Sequence, residues 1–219
     1  MRTLFIEARS ERSFTLPKEL VKSLPKKVAL FMSVQFLDSL KNIEKQLKSE
    51  SIEVVKIKPK HCQYECQLLG CSVDKFEVDV DAFLYIGDGY FHPKALVLKN
   101  DKTVFSYNPF SEKFEKLTKE DVESIRKKTK GALLKFHTSK NIGVLITVKP
   151  GQNKLKEAEK LKKSFPEKKF YMLVADTIDF NSLEDFNFIE CFVNTACPRI
   201  AFDDAIKISK PIIDIDDLN

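Results

Sequence analysis

The sequence contains no tryptophan, only six glycines and nine prolines in 219 residues. With 43% hydrophobic residues it is too apolar for an intrinsically disordered protein, so its cores must be built from phenylalanine, isoleucine, leucine and valine. No apolar run reaches the ~18 residues that a membrane-spanning helix needs. The N-terminus also lacks the charged and then apolar pattern of a secretory signal. We therefore expect no membrane association and a cytoplasmic location, where cysteines stay reduced.

Arginine is scarce as well, with 5 arginines against 32 lysines and a net charge of +5. The lysines are spread over predicted helix faces and do not form one block. No RNA-binding motif or zinc-finger spacing accompanies them. This pattern is typical of solvated helix surfaces, so we expect no direct nucleic-acid partner.

Strand and helix patterns alternate along the chain. Strands are predicted at Leu4–Ala8, Val28–Met32, Ile52–Ile57, Ala82–Ile86, Thr103–Tyr107, Ile142–Val148, Phe170–Ala175, Phe188–Asn194 and Ile212–Ile215. Helices are predicted at Leu16–Leu24, 34–49, Val122–Phe136, Gln152–Phe165 and Ser182–Phe186. A strand, a turn with glutamine and a lysine-rich helix follow one another twice, as in an internal repeat. The sequence therefore predicts an α/β fold with two similar domains, residues 1–138 and 139–219, each a small, mainly parallel sheet flanked by helices.

Residues with chemical potential collect where the predicted strands end. Ligands of open parallel sheets bind beyond the carboxyl ends of the strands. Four of the six glycines and four of the five cysteines follow such ends. The segments concerned are 61–71, 87–93, 149–152 and 194–199. Their joint placement points to a functional site.

The five cysteines are not equivalent. Cys191 lies inside an apolar strand and is expected to pack in a core, since an unmodified cysteine behaves as a small hydrophobe. Cys197 precedes a proline, so its thiolate can project from a rigid turn. Cys62, Cys66 and Cys71 share one loop, but the second pair of ligands that zinc sites usually show is missing. Thiolates converging from two domains suit an iron–sulfur cluster as well as zinc, and spacing alone leaves both open.

Polar residues in and beside these segments suit binding roles. Arg199 lies two residues after Cys197, and its planar guanidinium suits a carboxylate. Asp203 is placed to orient Arg199 or to receive an ammonium group. His92 is open to ligand, acid–base or hydrogen-bonding roles, and for His61 we favour a hydrogen-bonded loop residue.

Four segments together resemble the archaeal and eukaryotic diphthamide synthase family, the 2-(3-amino-3-carboxypropyl)histidine synthases. They are Gln67–Cys71, Leu84–Pro93, Lys149–Gln152 and Val193–Ala201, in the family's order and covering most of the chain. The resemblance implies full enzymes of three similar domains, each supplying one cysteine to a four-iron four-sulfur cluster whose open iron engages S-adenosylmethionine. It implies cleavage of a carbon–sulfur bond and transfer of a 3-amino-3-carboxypropyl radical to a histidine of elongation factor 2.

On the matching positions, the resemblance assigns Cys71 and Cys197 as cluster ligands of the second and third domains. It assigns a pocket around the cofactor to Gly87, Asp88, Gly89, His92, Gln152, Arg199 and Asp203. The sequence begins where the family's second domain begins, so the first domain and its cysteine are not part of it. Either a partner chain supplies that domain, or this is a shortened relative with changed chemistry. In the second case Cys66 is the first candidate for the third ligand and Cys62 the second.

Three functions follow as alternatives. The chain is a carbon–sulfur-cleaving iron–sulfur enzyme, an accessory subunit of a three-domain synthase, or a structural zinc domain. The surface that a first domain would cover predicts a partner chain or a homodimer.

Overall fold

The computed structural model describes residue 4 and residues 6–218, and its contacts divide the chain after Glu123 into two compact units. Each unit contains one mainly parallel sheet with helices, so the predicted fold class is confirmed. The strand predicted at Leu4–Ala8 does not form at residues 4 and 6–8, and Phe5 lies outside the described residues.

The first unit has a five-stranded sheet in the order β2-β1-β3-β4-β5. Its strands are β1 (Lys27–Met32), β2 (Glu53–Lys56), β3 (Ala82–Ile86), β4 (Thr103–Asn108) and β5 (Lys113–Leu117). Its helices are α1 (Lys18–Ser23), a 3₁₀ turn Val34–Ser39 that runs into α2 (Leu40–Ser49), α3 (Phe91–Lys99) and a second 3₁₀ turn, Lys119–Val122. The first four strands are parallel, and β5 runs antiparallel to β4.

The second unit has a four-stranded, all-parallel sheet in the order β7-β6-β8-β9. Its strands are β6 (Asn141–Thr147), β7 (Lys169–Ala175), β8 (Cys191–Asn194) and β9 (Ile212–Asp214). Its helices are α4 (Glu123–Thr138), α5 (Leu155–Ser164) and α6 (Arg199–Phe202), with 3₁₀ turns at Asn181–Asp185, Asp204–Lys207 and Ile215–Asp217.

The two sheets share a topology, and this topology determines where each sheet can bind a ligand. In each unit the first strand is central, the second strand pairs on one side of it and the third on the other. The chain therefore leaves the sheet in opposite directions after β1 and β3, and again after β6 and β8. Such switch points leave a crevice beyond the carboxyl ends of the two strands, where open α/β sheets bind ligands. The predicted repeat of strand, turn, helix and strand occurs once in each unit.

The central strands are continuous apolar runs because helices or loops cover both of their faces. All five residues of β3 are buried, from Ala82 to Ile86. In β1 every residue after Lys27 is buried. Strands buried on both faces lose the alternation of polar and apolar residues that half-exposed strands show.

Helix α4 is the longest described helix, with 16 residues, and it belongs to the second unit. Its Ala132 and Phe136 pack against Ile142 and Val144 of β6. The division of the chain thus lies at the start of α4, whereas the sequence placed a boundary near residue 138, at its end. Among the described residues, no helix has the length and apolar composition to cross a bilayer.

Helices α3 and α5 also differ from the sequence prediction. Helix α3 begins at Phe91 and includes His92 and Pro93, where the sequence predicted no helix. Proline is tolerated there because it lies in the first turn. Helix α5 begins at Leu155 and not at Gln152. The turn Lys149–Gln152 therefore ends before the helix starts, and the predicted helix N-terminus at this turn is wrong.

Candidate functional site

The loop that carries Cys71 is joined to the end of β1 by backbone hydrogen bonds. The Met32 amide donates to the Cys66 carbonyl at 2.6 Å, and the Leu68 amide donates to the Met32 carbonyl at 2.9 Å. The buried Gln67 side chain closes the preceding turn, since its Oε1 accepts from the amides of Gln63 and Tyr64. The loop is therefore fixed at the carboxyl end of the sheet, where Cys71 lies exposed.

Gly70 brings this loop against the start of α3. A Cβ atom at Gly70 would overlap the ring of Phe91. His92 follows and stacks on the ring of Tyr85, with 5.8 Å between ring centroids and 16° between planes. The structure thus brings Cys71 and His92, both predicted site residues, to neighbouring segments at one edge of the first sheet.

The Gly87–Gly89 turn lies at the switch point after β3. The end of β1 borders it, since the Ser33 amide donates to the Ile86 carbonyl at 3.0 Å. Gly87 packs so closely on Tyr85 that a Cβ would overlap its hydroxyl group, and Gly89 has a φ of +64°, which disfavours other residues. Asp88 accepts a hydrogen bond from the Asn108 side chain at 2.7 Å.

A cavity of about 360 Å³ opens beside this turn. Its lining consists of Gly87, Asp88, Gly89, Tyr90, Ser106, Asn108, Ser111, Lys113 and Glu115. The size and the mixture of backbone, hydroxyl and charged groups suit a small polar ligand. Three of the seven predicted pocket residues line this cavity. Tyr85 lies fully buried behind Gly87, and burial raises the pKa of its hydroxyl above the ordinary value.

In the second unit, Gln152 and Cys197 lie on the two loops that leave the switch point. Gln152 is half-buried in a turn after β6. Its backbone amide donates to the Lys149 carbonyl at 3.1 Å, and Gly151 has a φ of +78°. Cys197 is half-buried in the loop after β8. The Thr195 amide and hydroxyl both donate to the Leu145 carbonyl, which joins this loop to β6.

Arg199 and Asp203 form an ion pair within one helical turn of α6 and the residue after it. Arg199 is 5% exposed, whereas the Asp203 side chain is one-third exposed. Burial lowers the pKa of the Arg199 guanidinium, while the negative charge of Asp203 and its hydrogen bond oppose this shift. The sequence left two roles open for Asp203, which were to orient Arg199 or to receive an ammonium group. The structure shows Asp203 paired with Arg199.

Cys66 and Cys62 are buried, in contrast to Cys71. Cys66 is 0% exposed within the apolar core of the first unit, and burial raises the pKa of its thiol to about 12. Cys62 is 7% exposed, its sulfur lies 3.8 Å from Ser72 Oγ, and burial raises the pKa of its thiol too. A raised pKa disfavours the thiolate that binds metals. Their placement favours packing roles.

Cys191 and His61 lie where the sequence suggested. Cys191 packs in a core of the second unit, and burial raises the pKa of its thiol to about 12. His61 is exposed in the loop with a φ of +62°. Within residue 4 and residues 6–218, no three or more cysteine, histidine, aspartate or glutamate side chains come together as a metal site.

Sequence reasoning missed two side chains that support the Cys197 loop. Asn194 is fully buried and its amide donates to the Cys197 carbonyl at 2.9 Å and to Asp214 at 2.7 Å. Asp214 is 2% exposed at the end of β9. Asn194 was within a recognised motif, but only the adjacency of β8 and β9 reveals its partner.

Comparison with known proteins decides the family. The family model described as "Putative diphthamide synthesis protein" matches residues 1–219. The chain belongs to the diphthamide synthesis family. Among curated members of this family, it is 29% identical over 196 residues to the 2-(3-amino-3-carboxypropyl)histidine synthase of Pyrococcus horikoshii, covering 88% of this chain and 56% of that protein. It is 31% identical over 195 residues to the synthase of Methanocaldococcus jannaschii, covering 87% of this chain and 50% of that protein.

A solved structure of the diphthamide synthesis family shares the fold. The crystal structure of Dph2 from Pyrococcus horikoshii with a 4Fe-4S cluster matches with a TM-score of 0.75 and 26% sequence identity. The match covers 90% of this chain and 57% of that one. The chain therefore spans about half the length of the family members it matches.

The side chains of this family member fit an iron–sulfur cluster in part. Cys71 and Cys197 are the two most accessible of its five cysteines, and each lies in a loop at the carboxyl end of a parallel sheet. Thiolates are the usual ligands of such clusters. Neither unit builds a set of three ligands from its own described residues.

Proposed function

We propose that this chain holds a four-iron four-sulfur cluster through Cys71 and Cys197 and acts in the carbon–sulfur bond chemistry of diphthamide synthesis. The observation that carries the proposal is the contrast among the cysteines. Cys62, Cys66 and Cys191 are buried, whereas Cys71 is exposed and Cys197 is half-buried. A ligand must reach an inorganic centre outside the protein core, and only these two thiols meet that requirement without unpacking a core.

The chemistry available to such a centre follows from its coordination. A four-iron cluster held by three thiolates would keep one iron without a protein ligand. Once reduced by an external electron donor, such a cluster would supply a coordination position and an electron for cleaving a carbon–sulfur bond of S-adenosylmethionine. We propose S-adenosylmethionine as the cofactor because Arg199 offers a buried guanidinium for the carboxylate of its amino-acid part. Asp203, one-third exposed, orients that guanidinium.

The Gly87–Gly89 turn and His92 are the proposed contribution of the first unit to the same ligand. The cavity of about 360 Å³ beside the turn lies in the size range of small-molecule sites. Gly89, with its positive φ, keeps the backbone open for close approach of a ligand. Gln152 is the proposed polar contact from the turn after β6.

The third thiolate has two proposed sources. Cys66 and then Cys62 are the candidates within the chain, but each would have to leave a buried position with a raised thiol pKa. A second chain, either a three-domain homologue or another copy, would supply an accessible cysteine without that rearrangement. The burial of Cys62 and Cys66 favours the second source.

The proposed target is a histidine of elongation factor 2, as the resemblance of the sequence motifs implies; the names of the curated relatives state only a modified histidine. The proposed location is the reducing cytoplasm. Since the chain spans about half of its relatives, a second function is an accessory subunit that supports the cluster of a full-length synthase. Co-purification with a three-domain homologue, with no cluster in the isolated chain, would favour that function.

The proposal is tested by reconstituting the protein anaerobically with iron and sulfide and measuring iron, sulfide and zinc per chain. A brown protein with iron and sulfide in equal amounts supports it, whereas a colourless protein with one zinc ion supports the structural zinc alternative. The reduced protein is then incubated with S-adenosylmethionine. Formation of 5′-methylthioadenosine supports an enzymatic role, and its absence in a cluster-loaded protein removes S-adenosylmethionine from the account.

A further inference from the structure

The side chain of Asn194 connects three parts of the Cys197 loop. Its Nδ2 donates to the Cys197 carbonyl at 2.9 Å and to Asp214 Oδ2 at 2.7 Å, while its Oδ1 accepts from the Ala196 amide at 3.2 Å. Asn194 is 0% exposed, so these bonds form away from water. Such bonds matter more than exposed ones because a buried polar group that loses its partner is strongly disfavoured.

Asp214 determines which way the Asn194 amide faces. A carboxylate accepts hydrogen bonds and does not donate them, so it requires the NH₂ end of the amide beside it. The other carboxylate oxygen, Oδ1, accepts from the Asp216 amide at 3.1 Å, which holds the carboxylate itself in place. With the amide reversed, Asn194 Oδ1 would face Asp214 Oδ2, and neither the Cys197 carbonyl nor the Ala196 amide would keep its partner.

The backbone around Cys197 is held both at its own carbonyl and at the preceding Thr195. Its carbonyl accepts from the Ile200 amide at 3.0 Å as well as from Asn194. On the other side, Thr195 is bonded to β6 through the Leu145 carbonyl. With the backbone fixed, rotation of its own side chain is the main remaining freedom of the Cys197 sulfur.

We propose that Asn194 is a positioning residue that fixes the backbone of Cys197 and so limits the directions that its thiol can take, and that Asp214 acts through it by fixing the orientation of its side-chain amide. The inference deepens the proposed function, on which it rests, because a thiol carried on a fixed backbone binds a cluster with less reorganisation. Groups that orient metal ligands from behind influence metal affinity, and their loss typically weakens it by about 10- to 100-fold.

The first test uses the cluster-free protein, so it does not depend on whether iron binds. Four proteins are compared with wild type: Asn194→Ala, Asp214→Asn, the double variant, and Leu161→Ala as a control that disturbs the core of the same unit away from this edge. Alkylation by iodoacetamide is followed by mass spectrometry at Cys197, with Cys71 in the first unit as internal reference. We expect Asn194→Ala to increase the relative rate at Cys197 severalfold and Asp214→Asn to increase it less.

The double variant separates positioning from general loosening. If Asp214 acts through Asn194, adding Asp214→Asn to Asn194→Ala leaves the Cys197 rate unchanged, whereas independent effects would multiply. A Cys197 rate in Asn194→Ala equal to that of wild type, or to that of a similarly destabilised Leu161→Ala protein, would overturn the inference. Should Asn194→Ala fail to fold, Asp214→Asn alone must still raise the Cys197 rate above the Leu161→Ala control.

A second test uses the cluster-loaded protein and the rate at which a chelator removes iron. We expect about tenfold faster loss from Asn194→Ala than from wild type and little change in Leu161→Ala. If wild type binds no cluster, the proposed function fails while the alkylation result still decides the role of Asn194. If wild type binds a cluster and Asn194→Ala loses iron at the wild-type rate, the inference fails and the proposed function stands.

Discussion

The ring of Phe91 fills the space that a side chain at Gly70 would need. This contact joins the loop of Cys71 to the first turn of α3, next to His92. Glycine is therefore required at residue 70 by the approach of a neighbour, since its φ is not in the left-handed region. The position of Cys71 depends on a contact that a single methyl group would disturb.

Gly70→Ala should consequently lower the free energy of unfolding by about 1 kcal/mol, the lower end of the usual effect of overpacking, because the half-exposed Phe91 ring can move aside. Chemical denaturation measures the change. Gly131→Ala is the matched control, since a Cβ there meets no atom within 4 Å and should stabilise α4 by about 0.5–1 kcal/mol. In the double variant Gly70→Ala, Phe91→Ala, the added methyl group should have no further effect; a full additive loss would contradict the contact.

Asp214 should make stability depend on pH. Burial raises its pKa from 3.8 to about 6, with Asp216 adding to the shift and the hydrogen bonds from the Asp216 amide and Asn194, together with Lys154, opposing it. A carboxyl group whose pKa is raised in the folded state stabilises that state below the unfolded pKa, and the contribution is lost as pH rises through the folded pKa. The free energy of unfolding should therefore fall between about pH 4 and pH 6 by on the order of 3 kcal/mol from this group.

Asp214→Asn isolates that contribution. Denaturation of both proteins across this pH range should show that the difference between their free energies of unfolding changes with pH, because the variant lacks the titrating group. A difference independent of pH would show that Asp214 titrates normally.

Arg199→Lys should weaken binding of S-adenosylmethionine by about tenfold or more, although charge is retained. The planar fork that can bind a carboxylate in two places is lost, and hydrogen bonds to charged groups contribute about 1.5–3 kcal/mol. Titration calorimetry on the cluster-loaded protein measures the affinity. Arg12→Lys is the matched control, since Arg12 lies in an exposed ion pair with Glu112. Equal affinities of all three proteins would remove Arg199 from the proposed site.

Cys66→Ala and Cys62→Ala should keep the iron content of wild type and lose some stability, in line with their burial. Iron and sulfide analysis after anaerobic reconstitution tests this. Loss of the cluster from either variant would instead identify the third ligand within the chain and exclude the need for a second chain. The two outcomes separate the sources of the missing thiolate.

The sequence was informative where local pattern and burial agree. Strand β3 was predicted with its observed limits, Ala82–Ile86, because five consecutive buried apolar residues leave little alternative. Strand β5 was missed since four of its five residues are exposed, so an edge strand of this kind has no apolar signal. Helix α3 was missed because Pro93 near Gly87 and Gly89 resembles a turn, while the apolar segment after it, Ala95–Leu98, decides the structure.

The site was predictable in its segments and not in its contacts. Placing glycines and cysteines at strand ends identified both switch-point loops. The packing of Gly70 on Phe91 and the bond of Asn194 to Asp214 join residues about 20 positions apart, and they follow from which strands and helices are neighbours. The burial of Cys66 also depends on the whole core of the first unit. Spacing along the chain carries none of this information.

The most direct test of the account replaces cysteines one at a time and measures iron and sulfide per chain after anaerobic reconstitution. Wild type should carry iron and sulfide in the equal amounts of a four-iron four-sulfur cluster. Cys71→Ser and Cys197→Ser should each lose most of it, while Cys191→Ala, in a buried position, should retain it. Clusters that persist in both serine variants, or a wild-type protein that takes up zinc and no iron, would contradict the account.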